Sequence, residues 1–224
     1  MLDDCLVNKR KEFEEVVDEY ASEKLFDASK IIESSIKDLL GALQIAYGLD
    51  TSNENFRETP ERVARMFLNE RFCGINSEEY CKSLLMKSFP KHEKDSRDEM
   101  IIAANPAIAW SVCPHHLENV EYKVWMGYMP KDDVVGISKF NRVICHYAKQ
   151  PILQEDYTSG LARLFEEALD PLGSIVIVKG KHDCMIARGA RANPDQWVVT
   201  SAVRGLFLTE STYKEEFFQL CNMK

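Results

Sequence analysis

The chain has 224 residues and a formal net charge of −8, with apolar and charged fractions ordinary for a globular protein. That length suits one well-buried domain with room for a helical extension, and the acidic balance argues against nucleic acid as a general partner, because a phosphate backbone needs a basic face. No apolar run reaches the length of a membrane span, so no membrane partner is expected. An N-terminus with Asp3, Asp4 and no apolar core does not read as a signal peptide. Seven cysteines, an odd number in no framework pattern, fit reduced thiols and a cytoplasmic location.

Residues 2–24 place Phe13, Val16, Val17, Tyr20 and Leu25 at helical spacing, which predicts an amphipathic helix whose stripe needs a partner. A second helix is predicted from Ser29 to Tyr47, with Ile31, Ile32, Ile36, Leu39, Leu40 and Leu43 as a buried stripe and Gly48 as its end. After a polar loop, Thr59-Pro60-Glu61-Arg62 has the form of a helix start, with Thr59 as cap and Pro60 at the first helical position. Residues 74–98 read as polar and irregular, and Lys87–Arg97 as charged enough to be mobile. From residue 100 the period changes to that of strands: Met100–Ala109 is apolar, and Tyr122, Val124, Met126 and Tyr128 alternate with their neighbours. Helices are expected again over Lys139–Ala148 and after Pro151, the second with Leu153, Tyr157, Leu161, Leu164, Phe165 and Ala168 facing inward. Strands at Ser174–Lys179 and Val198–Val203 and a closing helix at Thr212–Leu220 complete an α+β order.

The chemistry gathers in two short stretches of the second half. Cys113-Pro114-His115-His116 offers a thiol and an imidazole at C-x-x-H spacing, and His182-Asp183-Cys184 offers a second thiol. Two cysteines and a histidine leave a tetrahedral zinc one ligand short, the mark of a catalytic rather than a structural site. His115 and His182 remain as proton carriers. Spacing alone leaves this open, because a free cysteine is commonly a small buried hydrophobe. An acidic chain still accommodates a phosphorylated small molecule given a few cations, for which Arg62, Lys139, Arg142, Arg188 and Arg191 are candidates.

Five stretches, in order and in register over about residues 55–210, resemble GTP cyclohydrolase I. They are Glu58-Thr59-Pro60-Glu61-Arg62-Val63-Ala64, Cys113-x-His115-His116, Gly136-Ile137-Ser138-Lys139-Phe140-Asn141-Arg142, Gln150-Pro151-x-x-Gln154-Glu155, and His182-x-Cys184-Met185-x-Ala187-Arg188-Gly189. The resemblance implies a Zn2+ site at Cys113, His116 and Cys184, with His115 as the central proton donor and acceptor, assisted by His182. It implies that Glu155 holds the guanine of GTP with Gln154 beside it. Arg62, Lys139, Arg142 and Arg188 would grip the triphosphate, with Ser138 close to the substrate. Arg191 lies outside the matching stretches and fits a surface charge as well as a phosphate contact. The implied fold is the tunnelling fold, an antiparallel sheet with helices on one face, assembled as a homodecamer with sites between subunits. Residues 1–50 would form a helical extension and 51–224 the catalytic domain.

The chain also departs from that pattern. Pro114 stands where the family typically carries a glutamate, which removes a charge and a backbone donor. Ala192-Asn193-Pro194-Asp195-Gln196-Trp197 replaces a stretch of small residues and is expected to reshape the pocket wall. These departures motivate a second reading, a related purine-nucleotide C8 hydrolase with altered substrate or one that stops at the ring-opened formamide. A third is a non-catalytic oligomeric zinc- or nucleotide-binding protein, against which His115 and His182 speak, since neither is needed merely to hold zinc.

Overall fold

The computed structural model describes residues 2–90 and 100–223, with backbone alone for 2–22, 103 and 104. The chain forms two compact units, Met1–Glu70 and Arg71–Lys224.

In the first unit a single helix, α1 (Leu2–Tyr47), replaces the two that the sequence suggested. Nothing between Leu25 and Ser29 breaks a helix. The Ser29 hydroxyl donates to Glu33 Oε1 at 3.1 Å, one turn onward, and does not cap a new start. The end falls where expected: Gly48 takes φ +71° and its N–H donates to the Gln44 carbonyl at 2.9 Å. The predicted stripe is less covered than expected, with Ile31 68% and Leu39 53% exposed. A helix this long packs in its unit against the much shorter α2 (Thr59–Met66), which cannot cover all of it. Side chains of the earlier stripe, Phe13 to Tyr20, lie outside the described residues. The cap of α2 is Glu58 rather than Thr59, which puts Pro60 at the second helical position. Glu58 offers no side-chain cap and pairs instead with Arg62 (Oε2 to Nη2, 2.8 Å).

The second unit is built on a four-stranded antiparallel sheet in the order β2 (Ile101–Val112), β3 (Asn119–Met129), β5 (Gly173–His182), β6 (Val198–Gly205). A separate two-stranded ribbon pairs β1 (Ser88–Pro90) with β4 (Asp133–Val135), so the first residues of the segment expected to be mobile form a strand. Its remainder, residues 91–97, lies outside the described residues. The alternation read from Tyr122, Val124, Met126 and Tyr128 is real: all four are fully buried beneath α4 (Ser138–Tyr147) and α5 (Gln154–Leu169). Tyr157 of α5 stacks on Tyr122 at 4.7 Å and donates its hydroxyl to the Ile144 carbonyl at 2.8 Å. Leu153, expected to face inward, precedes α5 and is 42% exposed.

A helix not anticipated, α3 (Glu78–Leu85), packs against α4 and α5. It buries Cys81, Leu84 and Leu85, spaced so that they share one face. Its charged side chains hid it, because they are used across elements: Glu78 binds Arg163 of α5 (Oε1 to Nη2, 2.6 Å) and Lys82 binds Glu167 (2.7 Å). The opposite face of the sheet carries a smaller cluster in which Trp125, Met129, Ile175 and Ile177 meet Phe207 of α7 (Leu206–Thr209) and Phe217 of α8 (Ser211–Leu220). A four-residue turn of helix, α6 (Asp183–Ile186), follows β5 directly.

This layout brings three chain segments to one end of the sheet. β2 ends at Val112, opposite Asn119 at the start of β3, and the next β3 residue, Val120, pairs with His182 at the end of β5. Val112 also bridges Pro151, just ahead of α5.

Candidate metal centre

The turn from β2 to β3 is closed from both sides: Cys113 N–H donates to the Glu118 carbonyl and Leu117 N–H to the Cys113 carbonyl, each at 2.8 Å. Leu117 turns the chain with φ +55°. The turn aims Cys113 and His116 at Cys184 on α6, and the Sγ atoms of the two cysteines are 3.7 Å apart. One ligand atom from each of Cys113, His116 and Cys184 falls within 4.8 Å of the other two. Two soft sulfurs and an imidazole nitrogen at that spacing fit a tetrahedral ion of the zinc type, with one position left over. His115 lies beside them, its Nδ1 3.8 Å from Cys113 Sγ.

These residues wall a cavity of about 350 Å³ together with Gln154 and Glu155 at the start of α5, His182, and the apolar Val120, Ile152, Met185 and Val198. Pro114 is also on the wall. A family model for GTP cyclohydrolase I matches residues 32–222. The chain belongs to the GTP cyclohydrolase I family. Curated relatives named GTP cyclohydrolase 1 agree, and 33–36% identity makes this a divergent enzyme of the family. That of Clostridium perfringens (strain 13 / Type A) is 36% identical over 193 residues, covering 86% of this chain and 100% of its own. That of Haemophilus influenzae (strain PittEE) is 35% identical over 170 residues, 76% and 75% of the two chains. That of Thermoanaerobacter pseudethanolicus is 34% identical over 201 residues, 89% and 100%. Among solved structures, the archaeosine synthase QueF-Like in its apo form overlaps 51% of this chain and 97% of its own at 21% identity and a TM-score of 0.40, too loose a likeness to bear on function.

The antiparallel sheet with α3, α4 and α5 over one face is the tunnelling-fold arrangement expected of a GTP cyclohydrolase I. Seven of the residues singled out in the sequence meet at the cavity: Cys113, His115, His116, Gln154, Glu155, His182 and Cys184. Ser138, Lys139 and Arg142 lie on the first turns of α4, off the cavity wall. Arg188, exposed just after α6, is close enough for its charge to act on Cys184. Arg62 belongs to the other compact unit. Trp197 turns away from the cavity: Lys123 Nζ sits 4.3 Å from its ring centre, on the sheet face that Trp125 shares. Successive residues leading into a strand point to opposite faces, so Val198 takes the cavity side and Trp197 cannot. Sequence reasoning missed Gly180, Thr158 and Thr200, which support Gln154; an isolated glycine inside a strand was the one signal available.

Burial depresses the His182 pKa, opposed by the charge of Glu155. Burial first, and then the hydrogen bond and charge of Cys113, push the Cys184 thiol up to about 11. A bound cation reverses that preference, because only the thiolate is a ligand. Metal uptake therefore displaces protons, and a higher pH lowers the cost of displacing them. Zinc binding by the metal-free chain is expected to tighten between about pH 6 and 8 and to release protons, readable by calorimetry in buffers of different ionisation enthalpy.

Three of the remaining cysteines behave as packing residues: Cys81 is fully buried, Cys221 6% exposed, and Cys145 Sγ donates to the Ile108 carbonyl at 3.4 Å; Cys73 is half-buried. His146 lies edge-on to Tyr80 at 4.7 Å, away from the cavity. His92 and the side chain of Cys5 lie outside the described residues. Among the described residues no helix is long and apolar enough to cross a membrane.

Proposed function

We propose that this GTP cyclohydrolase I hydrolyses GTP at C8 of the purine, releases that carbon as formate and forms 7,8-dihydroneopterin triphosphate, with zinc held by Cys113, His116 and Cys184. The observation that carries the reading is the meeting of these three ligands on one cavity wall with His115, His182 and Glu155. Zinc in that place supplies the Lewis acidity that makes water a competent nucleophile near neutral pH. His115 protonates the imidazole nitrogen of the purine as the C8–N bond breaks, and His182 assists the transfers that follow. Glu155, exposed at the mouth of α5, accepts from both N1–H and the 2-amino group of guanine, a pair that adenine does not present.

Arg62, Lys139, Arg142 and Arg188 bind the triphosphate, with Ser138 beside it, so that contacts far from C8 fix its position. Lys139, Arg142 and Arg188, in the same compact unit as the cavity, do not line it. That suits a homo-oligomer, a decamer, whose sites are completed between subunits. Residues 51–224 form the catalytic domain of this reading, residues 1–50 its helical extension, and the cytoplasm its location.

Incubating zinc-loaded protein with GTP and assaying formate and pteridine fluorescence tests this, and absence of both sinks it. Pro114 on the cavity wall motivates a second reading, arrest at the ring-opened formamide. Product analysis by mass separates the two.

A further inference from the structure

His182 Nε2 lies 2.8 Å from Gln154 Oε1, and the far end of the glutamine decides which of them carries the hydrogen. Gln154 Nε2 is 3.2 Å from the Val178 carbonyl, 3.0 Å from the Val198 carbonyl and 3.1 Å from Thr200 Oγ1. Two of these partners are carbonyl oxygens, which only accept, so the NH2 group must face them. Flipping the amide would set oxygen against oxygen. The threonines follow the same order. Thr158 Oγ1 donates to the Gln154 carbonyl at 2.7 Å and so accepts from Thr200 Oγ1 at 2.6 Å, which leaves a Thr200 lone pair for the amide.

Gln154 Oε1 is thereby fixed as an acceptor aimed at the imidazole, and His182 Nε2 has to be a donor. Gln154 is 3% exposed, so water does not compete for these groups. The strand has made room for the pair: a Cβ at Gly180 would collide with Gln154 Oε1 and come within 3.1 Å of His182 Nε2.

We propose that Gln154 is a positioning residue that holds the His182 ring in its Nε2–H tautomer, so that Nδ1 is the ring nitrogen left with a lone pair for other partners. The proposal rests on the reading of His182 as a proton carrier. It gives Gln154 a task distinct from that of Glu155 beside it, because both ends of the Gln154 amide are engaged within the protein. The adjacent side chains of one helix start then divide the work, one for the base and one for the histidine.

The test uses the full chain with 15N-labelled histidine, metal-free and zinc-loaded. Two-bond 1H–15N correlations, with the His182 ring assigned by its loss in His182→Ala, are expected to show the Nε2–H tautomer. An Nδ1–H pattern, or a mixture, overturns the proposal. In Gln154→Met the ring is expected to sample both tautomers while zinc per chain is unchanged. There kcat falls about 10- to 100-fold, the range for outer partners of functional histidines, with KM within about 3-fold.

A direct contact with substrate predicts the reverse, a raised KM at preserved kcat, and would sink the positioning role. Gly180→Ala, which drives a methyl group against Oε1, is expected to repeat the kcat loss. Adding Gln154→Met to His182→Ala should cost nothing further in kcat/KM, whereas additive losses overturn the proposal. Should Gln154→Met fail to fold, the tautomer in the unaltered chain decides. Full turnover by His182→Ala would reject the proton-carrier reading instead, an outcome separate from the tautomer result.

Discussion

Cys184→Ala is expected to leave the chain folded and to strip it of metal and activity together. Cys184 is only half-buried, on a four-residue helix at the margin of the core, so losing its sulfur removes little packing. Its loss to the metal is larger. Even outer-shell partners of a ligand change metal affinity by about 10- to 100-fold, and removing a thiolate ligand itself costs more than that. At zinc concentrations that saturate the unaltered protein, the variant should elute with well under one ion per chain and form no pteridine, with an unchanged far-ultraviolet circular dichroism spectrum. A variant that keeps one zinc per chain and normal turnover would show that Cys113 and Cys184 do not share an ion, whatever their 3.7 Å separation suggests.

The second large effect separates chemistry from metal retention. His115→Ala should lower turnover by about 10²- to 10⁴-fold, the usual contribution of a general acid–base residue, and leave zinc content nearly unchanged. His115 sits between two ligands in sequence yet is not one of the three side chains that converge. Its ring lies 6.3 Å from that of His116 and is exposed to the cavity. Metal content and product formation must therefore part company in this variant, as they do not in Cys184→Ala. Equal loss of both would make His115 part of the metal site and leave the proton transfers without a donor.

What was legible in the sequence depended on how local the cause was. The strands from residue 100 onward were readable because alternation is enforced over neighbouring residues, and Tyr122 to Tyr128 carry it without interruption. The candidate metal ligands were readable as chemistry, through C-x-x-H and H-x-C spacing, although only the fold brings Cys184 to Cys113. α3 was not readable, since four of its eight residues are polar or charged and the partners that make sense of them, Arg163 and Glu167, lie far along the chain on α5. The single α1 was missed for the opposite reason: the break expected before Ser29 does not exist, and that serine bonds forward along a helix that runs on to Tyr47. The support of Gln154 was equally hidden, because its amide partners Val178, Val198 and Thr200 stand 24, 44 and 46 residues away.

The ladder between β3 and β5, with Val120 facing His182, acts as a ruler for the whole cavity. Slipping β3 by a single residue would swing Tyr122, Val124, Met126 and Tyr128 to the opposite face of the sheet, where Trp125 and Met129 already pack against Phe207 and Phe217, because side chains along a strand alternate between faces. Four fully buried side chains thus forbid the slip. The greasy interior, which touches no substrate, is what keeps the end of β5 in step with the turn after β2.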